Sequence, residues 1–193
     1  MKNRAANIET QTIKRVQEGD REAFRLLVDA YKDLSLSLAC SIVKDQVLAE
    51  DIVQEAFIKV FQKIKSFRFQ SGFATWLYRI VVNTSYNALK KQKYHQDLDT
   101  LTILPDTAVS KAVDFYTLKE AEQKYYIQKA LEQLRPDEAL LLRLFYLCEL
   151  KISEIIEITA FSKSKIKVDL HRGRQQLAFA LKQLLGTEIQ DLL

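Results

Sequence analysis

Residues 73–91, FATWLYRIVVNTSYNALKK, run their whole length without a glycine, a proline or an acidic side chain. Wound as an α-helix at about 100° per residue, they sort into two chemically different faces. Phe73, Leu77, Ile80, Val81, Thr84 and Ala88 form a stripe suited to a core, while Trp76, Arg79, Asn83, Tyr86, Asn87 and Lys90 cluster on a second side. A solvated face would more usually carry Glu and Lys in i,i+4 pairs. Rings can stack on bases, amides can hydrogen-bond base edges, and cations can neutralise phosphate. A nucleic-acid reading surface and a face packed on a neighbouring helix both fit this composition. The preceding segment Lys65–Phe73, KSFRFQSGF, favours the first: a Ser-Gly turn signal and interleaved Phe and cations predict a short aromatic loop.

Only 4 Gly and 2 Pro occur in 193 residues that are 48% apolar, so the chain should be all-α, with room for one or two small domains. A net charge of +4 is too small for a generic polycation, and any nucleic-acid contact must come from local patches. Cys40 and Cys148 lie far apart inside apolar helical patterns and read as inert thiols. His95 and His171 give no metal-ligand spacing, and no cofactor or metal is expected. No window resembles a membrane-spanning segment or an exported leader, which predicts a cytoplasmic protein without membrane insertion.

Residues 10–91 read as amphipathic helices with short joints at Gly19-Asp20 and Lys44-Asp45-Gln46. In 92–118 the apolar period disappears and Asp97, Asp99, Asp106 and Asp114 gather around Pro105. The expected organisation is two small helical domains, 1–91 and 119–193, joined by a flexible acidic linker at 92–118.

The second domain holds a helix-turn-helix candidate. Pro136, Asp137 and Glu138 suit a helix start. Ile152–Ile158, a turn at Thr159-Ala160-Phe161 and Ser162 as N-cap of a final helix follow. Ile166, Leu170, Gly173, Leu177, Leu181 and Leu184 form that helix's inner stripe, with Ser164, Lys165, Val168, His171, Arg172 and Gln175 opposite. A cationic outer face on the second helix suits major-groove insertion, and a merely solvated face has the same composition. In the helix Ala49–Ile64, Asp51, Gln54, Glu55 and Gln62 surround an exposed Ile58. Acids around a lone apolar residue suit a protein partner better than DNA, or simply a solvated face.

GDREAFRLLVDAY and AEDIVQEAFIKVFQKIKSFRFQSGFATWLYRIVVNTSYNALKK resemble region 2 of bacterial extracytoplasmic-function sigma factors, a compact branch of the sigma-70 family. LEQLRPDEALLLRLFYLCELKISEIIEITAFSKSKIKVDLHRGRQQL resembles their region 4. The resemblance implies a transcription initiation factor that is not an enzyme. Its partners would be core RNA polymerase (β′ clamp helices and β subunit), promoter DNA and an anti-sigma factor. It assigns Asp51, Gln54, Glu55 and Ile58 to the polymerase. Phe67, Arg68, Phe69, Phe73, Trp76, Arg79, Asn83, Asn87 and Lys90 would take the −10 element as an opened strand. Ser162, Ser164, Lys165, Lys167, Val168, His171, Arg172 and Arg174 would read the −35 element as duplex. The chain departs from the family in places: Ala160 stands where Gly is common, Asp169 where a basic residue is usual, Lys165 where a small polar residue is usual, and Leu134-Arg135 where Leu-Pro is frequent, with Pro136 one place later. If position 160 is left-handed, the Ala Cβ costs on the order of 1 kcal/mol.

The alternative is a free-standing helix-turn-helix regulator acting on duplex operator DNA. Such a protein has no use for KSFRFQSGF.

Overall fold

The structure, a computed structural model, describes residues 2–96 and 118–185. It is all-α, with no strand among the described residues. The first domain contains α1 (Lys2–Gln17), α2 (Arg21–Val43), α3 (Gln46–Lys63) and α4 (Phe73–Gln96). The second contains α5 (Leu118–Glu132), α6 (Pro136–Leu142), α7 (Ile152–Thr159) and α8 (Lys163–Leu185). Of the stretch read as a linker, 92–96 continues α4 and 97–117 lies outside the described residues.

The joints follow local chemistry. Gly19 takes φ +102, and the Asp20 carboxylate then accepts from the Ala23 amide to cap α2. Lys44 closes α2 in the left-handed region at φ 57, and Asp45 caps α3 through the Leu48 amide. Pro136 opens α6 with Asp137 and Glu138 in its first turn, where the helix dipole favours acids. A π-helical turn, Arg143–Leu147, follows α6.

The apolar stripes bury as their spacing requires. Ile52, Val53, Ala56, Phe57 and Val60 of α3 meet Leu77 and Val81 of α4 and Leu38, Ala39 and Ile42 of α2 in one core. That core does not stop at the domain boundary: it runs on through Leu140, Leu141, Leu144, Ile155 and Ile158. α7 lies along α4, and α6 lies along α2. Helix α4 therefore has a third face, missed in the two-face reading, where Thr75, Tyr78, Val82 and Ser85 are buried toward the second domain.

Polar contacts fasten this seam. Tyr86 donates to Asp137 at 3.0 Å, and Thr75 to Glu154 at 3.4 Å. Arg143 Nε donates to Ser37 Oγ at 2.8 Å. Lys44 Nζ reaches the carbonyls of Glu132 and Leu134 at 3.0 and 3.2 Å, placing a cation at the negative end of α5.

Candidate functional site

Three surfaces carry the residues singled out in the sequence. The first is the loop before α4 together with the outer side of that helix. Gln17 of α1 donates to the carbonyls of Ile64 and Phe67, both at 2.9 Å, and so anchors the loop from below. Phe67 then packs against Phe69, Phe73 and Trp76, with ring centroids 4.9, 5.8 and 5.0 Å apart.

The structure corrects two assignments here. Phe67 and Phe73 are only 7% and 2% exposed, so neither offers a free face for a base. They are the floor of a shelf whose upper members are Phe69, 41% exposed, and the half-buried Trp76. Phe69 stands at φ 57, a strained conformation for a residue with a Cβ, and strain of this kind concentrates at ligand-facing loops. Arg68, Arg79, Asn83, Asn87 and Lys90 are exposed beside the shelf. Cations for phosphate, amides for base edges and rings for stacking therefore adjoin one another.

The second surface is α8 behind its turn. Ala160 takes φ 57 and ψ 16, the left-handed conformation that a Gly would occupy without strain. Ser162 Oγ accepts from the Lys165 amide at 3.2 Å, as an N-cap should. Ile166, Leu170 and Gly173 are buried, and a Cβ on Gly173 would lie 3.2 Å from Leu142 Cδ1, so Gly173 lets α8 approach α6 closely. Ser162, Ser164, Lys167, Val168, His171, Arg172 and Arg174 face outward.

Lys165 differs from its expected role. Its ammonium is held by Asp137 at 2.8 Å and Asp169 at 2.5 Å and sits 4.5 Å from the Phe161 ring centre. Burial pulls its pKa down, but the two carboxylates outweigh that and the net shift is upward. With its charge matched by two carboxylates of its own domain, Lys165 works as a strut between α8 and α6 rather than as a free cation for DNA. Asp169, at 13% side-chain exposure, is the other half of that strut, which accounts for an acid on a helix otherwise suited to phosphate.

The third surface is the outer side of α3. Asp51, Gln54, Glu55 and Ile58 are all exposed, Ile58 at 58%. Glu55 also pairs with Lys59 at 2.7 Å. Val47, 72% exposed, and Phe61, 42% exposed, add apolar area on the same helix that the sequence reading passed over.

Cys40 and Cys148 are half-buried, and burial is the main cause that pushes each thiol up to about 11. Thiols so shifted are poor nucleophiles at neutral pH. Among the described residues no group of His, Cys, Asp and Glu is arranged to hold a metal. No described helix is long and apolar enough to cross a membrane.

Comparison with known proteins agrees with this layout. Residues 27–94 match the Sigma-70 region 2 family and residues 124–177 match the Sigma-70, region 4 family. The ECF RNA polymerase sigma factor SigW of Bacillus subtilis is 35% identical, over 89% of this chain and 96% of its own length. The ECF RNA polymerase sigma-E factor of Escherichia coli K12 is 49% identical over 80 residues, which is 42% of this chain and 41% of that protein. In three dimensions the chain resembles the sigma factor RpoE solved with the anti-sigma factor NepR from Bartonella quintana. The TM-score is 0.66 at 24% identity, covering 82% of this chain and 96% of that one. It also resembles CnrH solved with the cytosolic domain of CnrY, at TM-score 0.59 and 17% identity, covering 89% and 96%. At such identities these two structures speak for the fold alone.

Proposed function

Because the chain belongs to the extracytoplasmic-function branch of the sigma-70 family of transcription initiation factors, we propose a division of labour among its three surfaces. Asp51, Gln54, Glu55 and Ile58 on α3 grip the β′ clamp helices of core RNA polymerase. The shelf of Phe69 and Trp76, with Arg68, Arg79, Asn83, Asn87 and Lys90, takes the −10 element as an opened strand. Ser164, Lys167, Val168, His171, Arg172 and Arg174 on α8 read the −35 element as duplex. Residues 1–91 and 119–193 act as the two modules, with 92–118 as the tether between them. The factor performs no chemistry of its own, acts in the cytoplasm and contacts the β subunit as well. An anti-sigma factor is its further partner.

One observation carries this reading: an exposed aromatic shelf bordered by cations and amides, and a helix with a cationic outer face behind a tight turn, occupy separate domains of one chain. A lone duplex-binding regulator would need only the second.

Two magnitudes assign work to the polymerase. The −35 and −10 elements lie about 85 Å apart along B-form DNA at about 3.4 Å per step. A compact chain of this length spans only about 40 Å, so the seam between α4 and α7 must open before both elements are engaged. Opening about ten base-pair steps costs roughly 14 kcal/mol in lost stacking, and each captured base returns about 1–3 kcal/mol. The polymerase must supply the remainder.

The test is Asn83→Ala in reconstituted holoenzyme. Loss of an amide at a base edge should lower open-complex formation about tenfold, equivalent to about 1.4 kcal/mol, at unchanged polymerase occupancy. Permanganate footprinting of bubble thymines reads it. Full reactivity in the variant would make Asn83 a scaffold residue and remove the strand-reading assignment.

A further inference from the structure

One residue of the α4 face is tied to the other domain. Taking Arg79 as the origin and about 100° per residue, Tyr86 lies about 20° to one side and Asn83 about 40° to the other. Tyr86 is thus as central to this face as the amide, and Lys90, one turn further along, lies about 20° toward the Asn83 side. Yet Tyr86 is half-buried while Arg79, Asn83, Asn87 and Lys90 are exposed.

The cover comes from the other domain. The Tyr86 hydroxyl donates to Asp137 Oδ1 at 3.0 Å, and Asp137 belongs to the first turn of α6. The second oxygen of that carboxylate accepts from Lys165 of α8 at 2.8 Å. A chain of contacts therefore runs from the strand-reading helix, through one carboxylate, to the duplex-reading helix. This contact occupies the only hydroxyl of the ring and sets an acid at the edge of a surface built for a polyanion. Parting the domains would leave Asp137 with Lys165, which travels in the same domain, and would free the ring.

We propose that Tyr86 is a further base-stacking residue of the strand-reading face, masked in the closed chain by Asp137 and uncovered when the two domains part. The inference rests on the assignment of α4 as the strand-reading helix. Base–aromatic stacking tolerates any sequence because every base presents a π-face, so the residue adds grip rather than specificity.

The test uses the full chain and a fluorescein-labelled single-stranded oligonucleotide of randomised sequence, read by anisotropy. Without polymerase, Asp137→Ala should tighten binding by about threefold or more, the scale of one lost intramolecular hydrogen bond. In a Tyr86→Leu background, which keeps bulk but cannot stack, that gain should vanish. A gain of equal size with Leu at position 86 would mean that Asp137 acts by charge alone, and no gain in either background would mean that nothing is masked. Both results overturn the proposal. In holoenzyme, Tyr86→Leu should weaken strand binding about fivefold or more, and Tyr86→Phe, which keeps the ring, should recover most of it. Equal losses for Leu and Phe, or no loss with Leu, also overturn it. The polymerase-free arm stands apart from the initiation reading. Failure of that reading shows as no promoter opening by wild-type holoenzyme, and failure of this one as lost coupling between positions 86 and 137.

Discussion

Lys44 and Ala160 share a backbone conformation and differ in what their side chains do, which makes them a matched pair. Both close a helix at φ 57, with ψ 22 and 16. Each amide makes the expected closing bond, Lys44 to the Cys40 carbonyl at 3.0 Å and Ala160 to the Ile156 carbonyl at 2.8 Å. An L-residue in this region is disfavoured by about 1–2 kcal/mol. Glycine relieves that, but its looser unfolded chain takes back about 0.4–1 kcal/mol. Ala160 is exposed, so its methyl forfeits no packing. Ala160→Gly should therefore stabilise by about 0.5–1 kcal/mol, or raise Tm by about 1–4 °C at this chain length. Lys44→Gly releases the same strain but deletes two bonds from the ammonium to carbonyls at the end of α5, at 3.0 and 3.2 Å. Bonds from a charged donor contribute about 1.5–3 kcal/mol each when sheltered. Even discounted by half or more for the exposure of this lysine, their loss exceeds the relief. The net change should be a destabilisation of about 1 kcal/mol. Urea unfolding of both variants beside wild type reads the pair. A lowered midpoint for Ala160→Gly would refute the strain argument, and a raised midpoint for Lys44→Gly would refute the fastening role of its side chain.

Ile58→Glu should abolish co-elution with core polymerase and leave the melting temperature nearly unchanged, since Ile58 is 58% exposed; intact co-elution would remove the α3 interface. Lys167→Ala should lower the salt dependence of −35 duplex binding by a slope of about 0.9, one phosphate contact. Lys165→Ala should leave that slope in place, because its charge is already matched by Asp137 and Asp169; a shared fall would show that Lys165 is released to DNA. Gly173→Val should lower stability by about 1–3 kcal/mol through overpacking and weaken duplex binding with it, because a Cβ there already meets Glu138 and Leu142 at 3.2–3.3 Å. Unchanged urea midpoints would place α8 farther from α6 than described.

Much of this was legible because helical burial repeats within a few residues. Asp51, Gln54, Glu55 and Ile58 alternate with Ile52, Val53 and Phe57, so periodicity alone separates the faces of α3. Chemistry at single positions was legible too: the joints at Gly19-Asp20 and Lys44-Asp45 fall where they were read, Ser162 caps α8, Pro136 starts a helix, and Ala160 takes the left-handed conformation raised for its place in the turn. What stayed hidden depends on distant partners. Tyr78, Val82 and Ser85 are buried by a domain joined far along the chain, and no local pattern distinguishes that from a wide core stripe. Lys165 looks like a free cation until Asp137, 28 residues earlier, is brought beside it. In a loop with no repeat, Phe67 and Phe69 could not be told apart as floor and rim.

Arg143 gives the seam between the domains an unusual character. Its side chain is buried at 5% exposure and donates to neutral groups, the Ser37 hydroxyl at 2.8 Å and the Ala139 carbonyl at 3.3 Å, while the Glu132 carboxylate offsets only part of the cost of its burial. Loss of water lowers its pKa, the signature of a cation kept from its preferred solvent. The apolar residues around it hold the domains together, while the guanidinium gains hydration the moment they separate. Arg143 thus resembles a compressed spring set into an adhesive joint, and the joint yields to less force than its greasy surface suggests.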